Sequence, residues 1–332
     1  MAISIEDIKK LRAMTGAGLA DVKKALTEAE GDFDKAKELL RERGLAIAAK
    51  RSDRETSNGC VLVKYVDGFA ATIALKCETD FVANGADFIA LTQSILDAAI
   101  AAKAKDIEAV KELTLADGQK VQDAVTQRSG ITGEKMELDG YNVLEGENIE
   151  IYDHMGKHML TTMVQTNKPA AEVGHKLAMQ VAAMKPVALD AASIDQKILD
   201  EEYKTAVEKT KLEQVQKYVD MKVKKAGINP NLVDSEDHIE SNMSKGWLTQ
   251  EQADEARKII AEAKVEGEAQ LKMPMIEGIA KGRVEKFKKE SCLVDQEFQF
   301  GDGDKATVSQ WLAQQDKELK IVAFKRFTLV AE

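Results

Sequence analysis

The sequence has no apolar run near the roughly 20 residues needed to cross a bilayer, so a membrane-spanning helix is not expected. Its start, Met1-Ala2-Ile3-Ser4-Ile5, meets Glu6 and Asp7 at once instead of opening basic and then apolar as a secretory signal does, and export is not expected. Cysteine is scarce: Cys60, Cys77 and Cys292 fit no paired spacing motif, which points to a reducing compartment, the cytoplasm. A cationic excess is also missing. With 47 Lys and Arg against 57 Asp and Glu, the formal charge of -10 argues against direct nucleic-acid binding over a general surface.

Motifs that would announce chemistry are absent as well. Gly16-Ala17-Gly18 lacks the strand-to-helix unit and the later glycine of a dinucleotide fold and reads as a helix–helix turn. No G-x-x-x-x-G-K-[ST] loop occurs, and the near-match Gly156-Lys157 continues into His158, so the chain is not expected to bind GTP itself. His154 and His158 have a spacing a helix could offer to zinc, yet Met155-Gly156 reads as a turn and no third ligand is nearby. A calcium loop starting at Asp302 would need Gly and Glu where Thr307 and Ala313 stand, so Phe300–Asp304 reads as a polar turn. Cys77 has no adjacent histidine or second cysteine to make it a nucleophile. The expectation is a protein without metal, cofactor or covalent catalysis.

What the sequence does contain is ordinary for a folded, soluble chain: 332 residues, 44% hydrophobic and 31% charged, enough for two or three domains. Residues 1–50 carry three helical patterns. Ile5, Ile8 and Leu11 follow a Ser4 cap with Asp7 at its third position; Leu19, Val22, Ala25 and Leu26 follow the Gly16–Gly18 turn; Phe33, Ala36, Leu39 and Leu40 follow Gly31 and a capping Asp32. Gly44 and the charged run Lys50–Glu55 predict a hinged or extended linker, bounded at 51–58.

Residues 59–147 form the first core subdomain. Val61, Val63 and Tyr65 alternate, Asp67-Gly68 can turn the chain into a Phe69–Lys76 strand, and Phe88, Leu91 and Ile95 predict a covering helix. A second sheet-and-helix pattern occupies 148–186 and 275–332, with strands at Ile149–Ile151, His158–Gln165 and Lys320–Val330. Its helix carries Val173, Leu177, Val181 and Met184 and stops before Pro186. Between these parts, residues 187–274 predict an inserted antiparallel helical arm: one long amphipathic helix to Val223, a break at Gly227–Pro230, and a second helix capped by Thr249 with Gln252 at the box position. The arm could serve a homodimer, a partner contact or internal packing alone.

Phe81 stands where the first hairpin gives way to a helix, in Lys76-Cys77-Glu78-Thr79-Asp80-Phe81-Val82. An aromatic there is either a core plug or a wedge offered to another protein. This run, together with Leu11-Arg12-Ala13-Met14-Thr15-Gly16-Ala17-Gly18-Leu19, Tyr152-Asp153-His154 and Lys176–Pro186, resembles the bacterial elongation factor Ts family over about 240 residues in family order.

The resemblance implies an α+β chain: an amino-terminal three-helix UBA-like module, two related antiparallel-sheet/helix core subdomains and the inserted arm. It implies a nucleotide-exchange factor that binds elongation factor Tu and promotes guanosine diphosphate release by disrupting the partner's magnesium and phosphate site. Asp80, Phe81, His154, Met179 and Gln180 are then the expected exchange contacts, although many relatives carry His where Gln180 stands. Arg12, Met14, Thr15, Gly16, Gly18 and Leu19 are the expected docking contacts. A short carboxy-terminal helical module found in some relatives is not expected. The competing expectation is a non-exchanging scaffold or chaperone-like binder.

Overall fold

The structure, a computed structural model that describes residues 3–51, 53–301 and 305–330, is α+β. It divides into two compact units, one holding the chain up to Lys185 and again from Glu297, the other holding Pro186–Gln296. In chain order the first unit carries α1 (Ile5–Thr15), α2 (Leu19–Glu28), α3 (Phe33–Ala49), β1 (Asn58–Val66), β2 (Phe69–Cys77), α4 (Asp80–Ala83), α5 (Ala86–Ala102), α6 (Ile107–Lys111) and α7 (Val121–Thr132). It continues with β3 (Met136–Glu145), β4 (Ile149–Asp153), β5 (Leu160–Thr166) and α8 (Ala171–Met184). The second unit carries α9 (Gln196–Lys225), α10 (Glu236–Ser244), α11 (Gln250–Ala269) and α12 (Met273–Ser291), after which α13 (Val308–Gln315) and β6 (Ile321–Thr328) return to the first.

The amino-terminal helices form as their caps dictate. Ser4 Oγ accepts from Asp7 N at 3.0 Å while Asp7 accepts from Ser4 N at 3.2 Å, and Asp32 accepts from the amides of Asp34 and Lys35. Leu11, Val22, Ala25, Leu26 and Ala36 close a small core between them. Gly44 is not the boundary that the sequence pattern predicts. It lies inside α3, where that helix crosses α7, and a Cβ on Gly130 of α7 would fall 2.3 Å from the Gly44 Cα. The missing Cβ of Gly130 therefore lets the two helix backbones meet where a boundary is expected. Ser52, within the predicted linker, lies outside the described residues, as do 302–304 of the predicted polar turn.

Two three-stranded antiparallel sheets follow, in the orders β1-β2-β3 and β4-β5-β6. Asp67 and Gly68 both take positive φ and close the β1–β2 hairpin. β3, which the sequence pattern does not reveal, pairs with β2 through a bulge around Asp139-Gly140. Gly140 is required there because a Cβ would fall 2.3 Å from the ring of Phe327 on β6. The sheets meet through Ala70, Leu144, Ile149 and Met163, a buried Thr72–Thr161 hydroxyl pair at 3.3 Å, and a bond from Val61 N to His158 O at 2.7 Å. α5 covers the first sheet and α8 the second.

In the second unit α9 and α11 run antiparallel: Lys225 and Ala226 line one cleft with Ile259 and Glu262, while Tyr218 and Val215 lie over Gly267. Thr249 and Gln252 make the expected capping box. α12 packs on α9 as well, with Ile276 and Ala280 fully buried. The return from the second unit to the first therefore falls at Glu297 and not near Met275, because the apolar stripe of α12 faces α9.

Candidate partner-binding site

β2 ends at Cys77, and the next residues are fixed from beneath. Thr79 Oγ1 accepts from Val82 N at 3.4 Å and so caps the short α4. The same hydroxyl donates to Glu134 Oε1 at 2.6 Å, and Thr79 N donates to Glu134 Oε2 at 3.1 Å. At the other end of the turn, Asn84 N and Nδ2 both donate to Asp80 O. Ala83 is buried, whereas Asp80 is exposed and Phe81 is 88% exposed. Phe81 is therefore no core plug. Leaving its ring in water forgoes about 1.5–3 kcal/mol of burial, and the hydrogen bonds around it hold it there.

Glu78 is bound as tightly as Thr79. Its Oε1 accepts from Lys135 N at 2.6 Å and from Arg51 at 3.3 Å, and its Oε2 accepts from Arg54 at 2.8 Å. The Lys135 amide, followed by the two guanidiniums, pulls its pKa down to about 2 against the opposing effect of burial. Asn58 Nδ2 donates to Glu78 O at 2.9 Å. Neither Glu78 nor its arginines stand out in the sequence, because their partners lie more than 20 positions away.

His154 sits on the other sheet's turn, exposed, beside Met155 with its positive φ. Its Nδ1 lies 3.0 Å from Tyr152 Oη, and His175 of α8 meets the Tyr152 ring edge-on at 5.5 Å. Met179, half-buried, lies one turn further along α8 on the same face as His175. β1 links this cluster to the Phe81 tip: Asn58 pairs with Cys77, and Val61 binds His158. Those two points are three residues, roughly 10 Å, apart along a strand. Phe81 and His154 thus lie at one end of the paired sheets.

Gln180 does not join them at the surface. It is fully buried, its Nε2 donates to Glu297 O at 3.0 Å, and its Oε1 accepts from Gln299 N at 3.0 Å. Both ends of the amide hold residues 297–299 against α8, which leaves no exposed amide at the expected contact position.

The predicted docking residues surround the α1–α2 turn. Arg12, Gly16 and Gly18 are exposed, Met14 and Leu19 are each more than half exposed, and Thr15 is half-buried with Oγ1 donating to Leu11 O at 2.7 Å. A cleft of about 240 Å³ lined by Thr15, Ala17, Gly18, Leu40, Gly44 and Ile131 opens beside this turn.

Burial pushes the Cys60 and Cys77 thiols up to about 12, so both stay protonated at neutral pH. His158 is held by Asp153 at 2.5 Å, and no group of three His, Cys, Asp or Glu side chains suited to a metal occurs among the described residues. Among those residues no helix is long and apolar enough to cross a membrane.

Comparison with known proteins places these features in a family context. The sequence model of a family described as Elongation factor TS matches residues 78–331. The chain is 57% identical to the Elongation factor Ts of Phocaeicola vulgatus and 56% identical to that of Parabacteroides distasonis, each over 332 residues and the whole of both chains. It is 40% identical to that of Porphyromonas gingivalis over the same length.

Proposed function

We propose, from the premise that this chain belongs to the elongation factor Ts family, that it binds elongation factor Tu and speeds its release of guanosine diphosphate. The observation that carries the reading is Phe81, 88% exposed on a turn whose backbone is fixed from below. A rigid aromatic held in water is suited to fill an apolar pocket on a partner, where such an anchor contributes about 2 kcal/mol or more. Phe81 enters the G domain, Asp80 steadies the tip, and His154 and Met179 contact the same face of the partner. Displacing the elements that hold magnesium and phosphate weakens nucleotide binding.

Linkage makes the effect reciprocal: nucleotide and exchange factor each weaken the other, with a coupling on the order of 1–3 kcal/mol. No covalent bond is made or broken, and the nucleotide belongs to the partner.

The three helices of residues 1–50 act as a UBA-like docking module through the α1–α2 turn, where Met14 and Leu19 are exposed. The second unit provides self-association, a reading supported by exposed Leu212, Met221 and Val265 on its helices. A chain of this kind works in the cytoplasm.

The test is release of labelled guanosine diphosphate from elongation factor Tu with and without the chain. Faster release supports exchange; binding without a change in rate identifies a scaffold instead.

A further inference from the structure

Two routes of contact join the three-helix module to the residues that carry Phe81. In the first, α3 crosses α7 at Gly44 and Gly130, α7 closes at Gly133, and the next two residues, Glu134 and Lys135, grip Thr79 and Glu78. In the second, the chain leaving α3 sends Arg51 and Arg54 to the Glu78 carboxylate. Lys135 ties the routes together, since its Nζ donates to Arg54 O at 2.9 Å. The Glu78 side chain is only 15% exposed, so its ion pairs are screened less than those at an open surface.

We propose that Glu78, gripped by Arg51 and Arg54, is a positioning residue that sets the angle at which Thr79-Asp80-Phe81 leave β2 according to the seat of the three-helix module. The inference rests on the reading of Phe81 as the exchange wedge. It assigns the module a second task. A docking module on a slack tether raises the local concentration of the wedge and changes only the concentration needed for half-maximal exchange. A module that also orients the wedge changes the rate at saturation, because misplacement of a working group by a small distance is costly.

Proximity along a chain of contacts is associational, and energetic coupling is the physical criterion. Release of labelled guanosine diphosphate from elongation factor Tu is therefore followed against the concentration of wild type, Glu78→Gln, Arg51→Gln/Arg54→Gln and the triple variant. The expected result is a saturating rate about tenfold lower in Glu78→Gln and in the double variant, with the half-saturating concentration changed less than about threefold. The triple variant should be no slower than Glu78→Gln, because all three changes remove one contact.

Unchanged saturating rates, or losses that multiply in the triple variant, overturn the proposal. Arg54 is 55% exposed, so Arg54→Gln alone keeps the test open if the others fold poorly, with a smaller loss in the same direction expected. Thermal unfolding is measured alongside, and a rate loss that only tracks the unfolded fraction also counts against the proposal. If wild type fails to speed release, or Phe81→Ala is as fast as wild type, the wedge reading itself falls and the positioning role with it.

Discussion

Gly44 of α3 and Gly130 of α7 make an asymmetric contact: a Cβ on Gly130 would lie 2.3 Å from the Gly44 Cα, whereas a Cβ on Gly44 would lie 3.6 Å from the Gly130 Cα. The first distance is impossible without moving a backbone, and the second is ordinary van der Waals contact. One glycine is needed for the helices to meet; the other is not.

Gly130→Ala should therefore lift α3 from α7, at a cost of about 1–3 kcal/mol typical of overpacking. Gly44→Ala should be neutral or stabilising by up to about 1 kcal/mol, because alanine is the better helix former. Urea unfolding of the two variants checks this. A loss in Gly44→Ala equal to that in Gly130→Ala would mean that both sides of the crossing are equally tight, and no loss in either would mean that it is looser than the contact distances imply.

Phe81→Ala should leave thermal unfolding close to wild type, since a ring 88% exposed contributes little to the core. Exchange should fall by about 2 kcal/mol, roughly thirtyfold, if the ring anchors the partner. Nucleotide-release rates and unfolding curves for the same preparations decide the matter. A large stability loss, or normal exchange, would rule out the wedge.

Local rules made much of this architecture readable. The Ser4 and Thr249 capping boxes, the Asp67-Gly68 hairpin and the Lys185 stop before Pro186 each depend on neighbours within a few positions. What escaped depends on contacts distant in sequence. Asp139-Gly140 has the composition of a turn, yet Gly140 is in a strand because Phe327 packs over it. Gly44 has the composition of a boundary, yet it lies inside α3, at the crossing that Gly130 of α7 makes possible. The exposed tip could be placed from the strand-to-helix switch at Phe81, but the Glu78–Arg51–Arg54 grip beneath it leaves no periodic trace.

Glu78 also predicts a pH dependence. Its pKa is depressed to about 2 in the folded chain, so its stabilising contribution is present above the ordinary carboxylate range and is lost as pH falls through the folded value. The stability advantage of wild type over Glu78→Gln should be full at pH 7 and shrink between about pH 4.5 and pH 2. Other carboxylates, Asp7 and Asp32 among them, are also depressed, and the comparison with the variant removes their shared contribution. An advantage independent of pH would show that the carboxylate charge is not what holds the grip.

Gln180→Ala should destabilise the first unit by about 0.5–1.5 kcal/mol for each hydrogen bond lost, because Gln299 N would lose its partner and Glu297 O would keep only Gln299 Nε2. Affinity for elongation factor Tu, measured where the variant is fully folded, should be near wild type. Weakened association without any loss of stability would restore Gln180 to the contact surface.

Excision of the inserted unit should depend on where the cut is made. Val187 N donates to Ser291 O at 2.8 Å, and Ala188 pairs with Cys292, so the chain enters and leaves this unit side by side. Replacing residues 187–295 with a short Gly/Ser bridge should leave the first unit folded, since little chain entropy is spent in closing so narrow a gap. Removing only 190–272 takes away α9 and leaves α12 with Ile276, Ala280 and Val284 uncovered, a stripe that is buried in the intact unit. That shorter deletion should aggregate or unfold at lower temperature, while the complete excision stays soluble and retains exchange. Sedimentation of the intact chain and of the complete excision then tests self-association: loss of a dimer on excision assigns it to the inserted unit, and a monomer in both rejects the homodimer without touching the exchange reading.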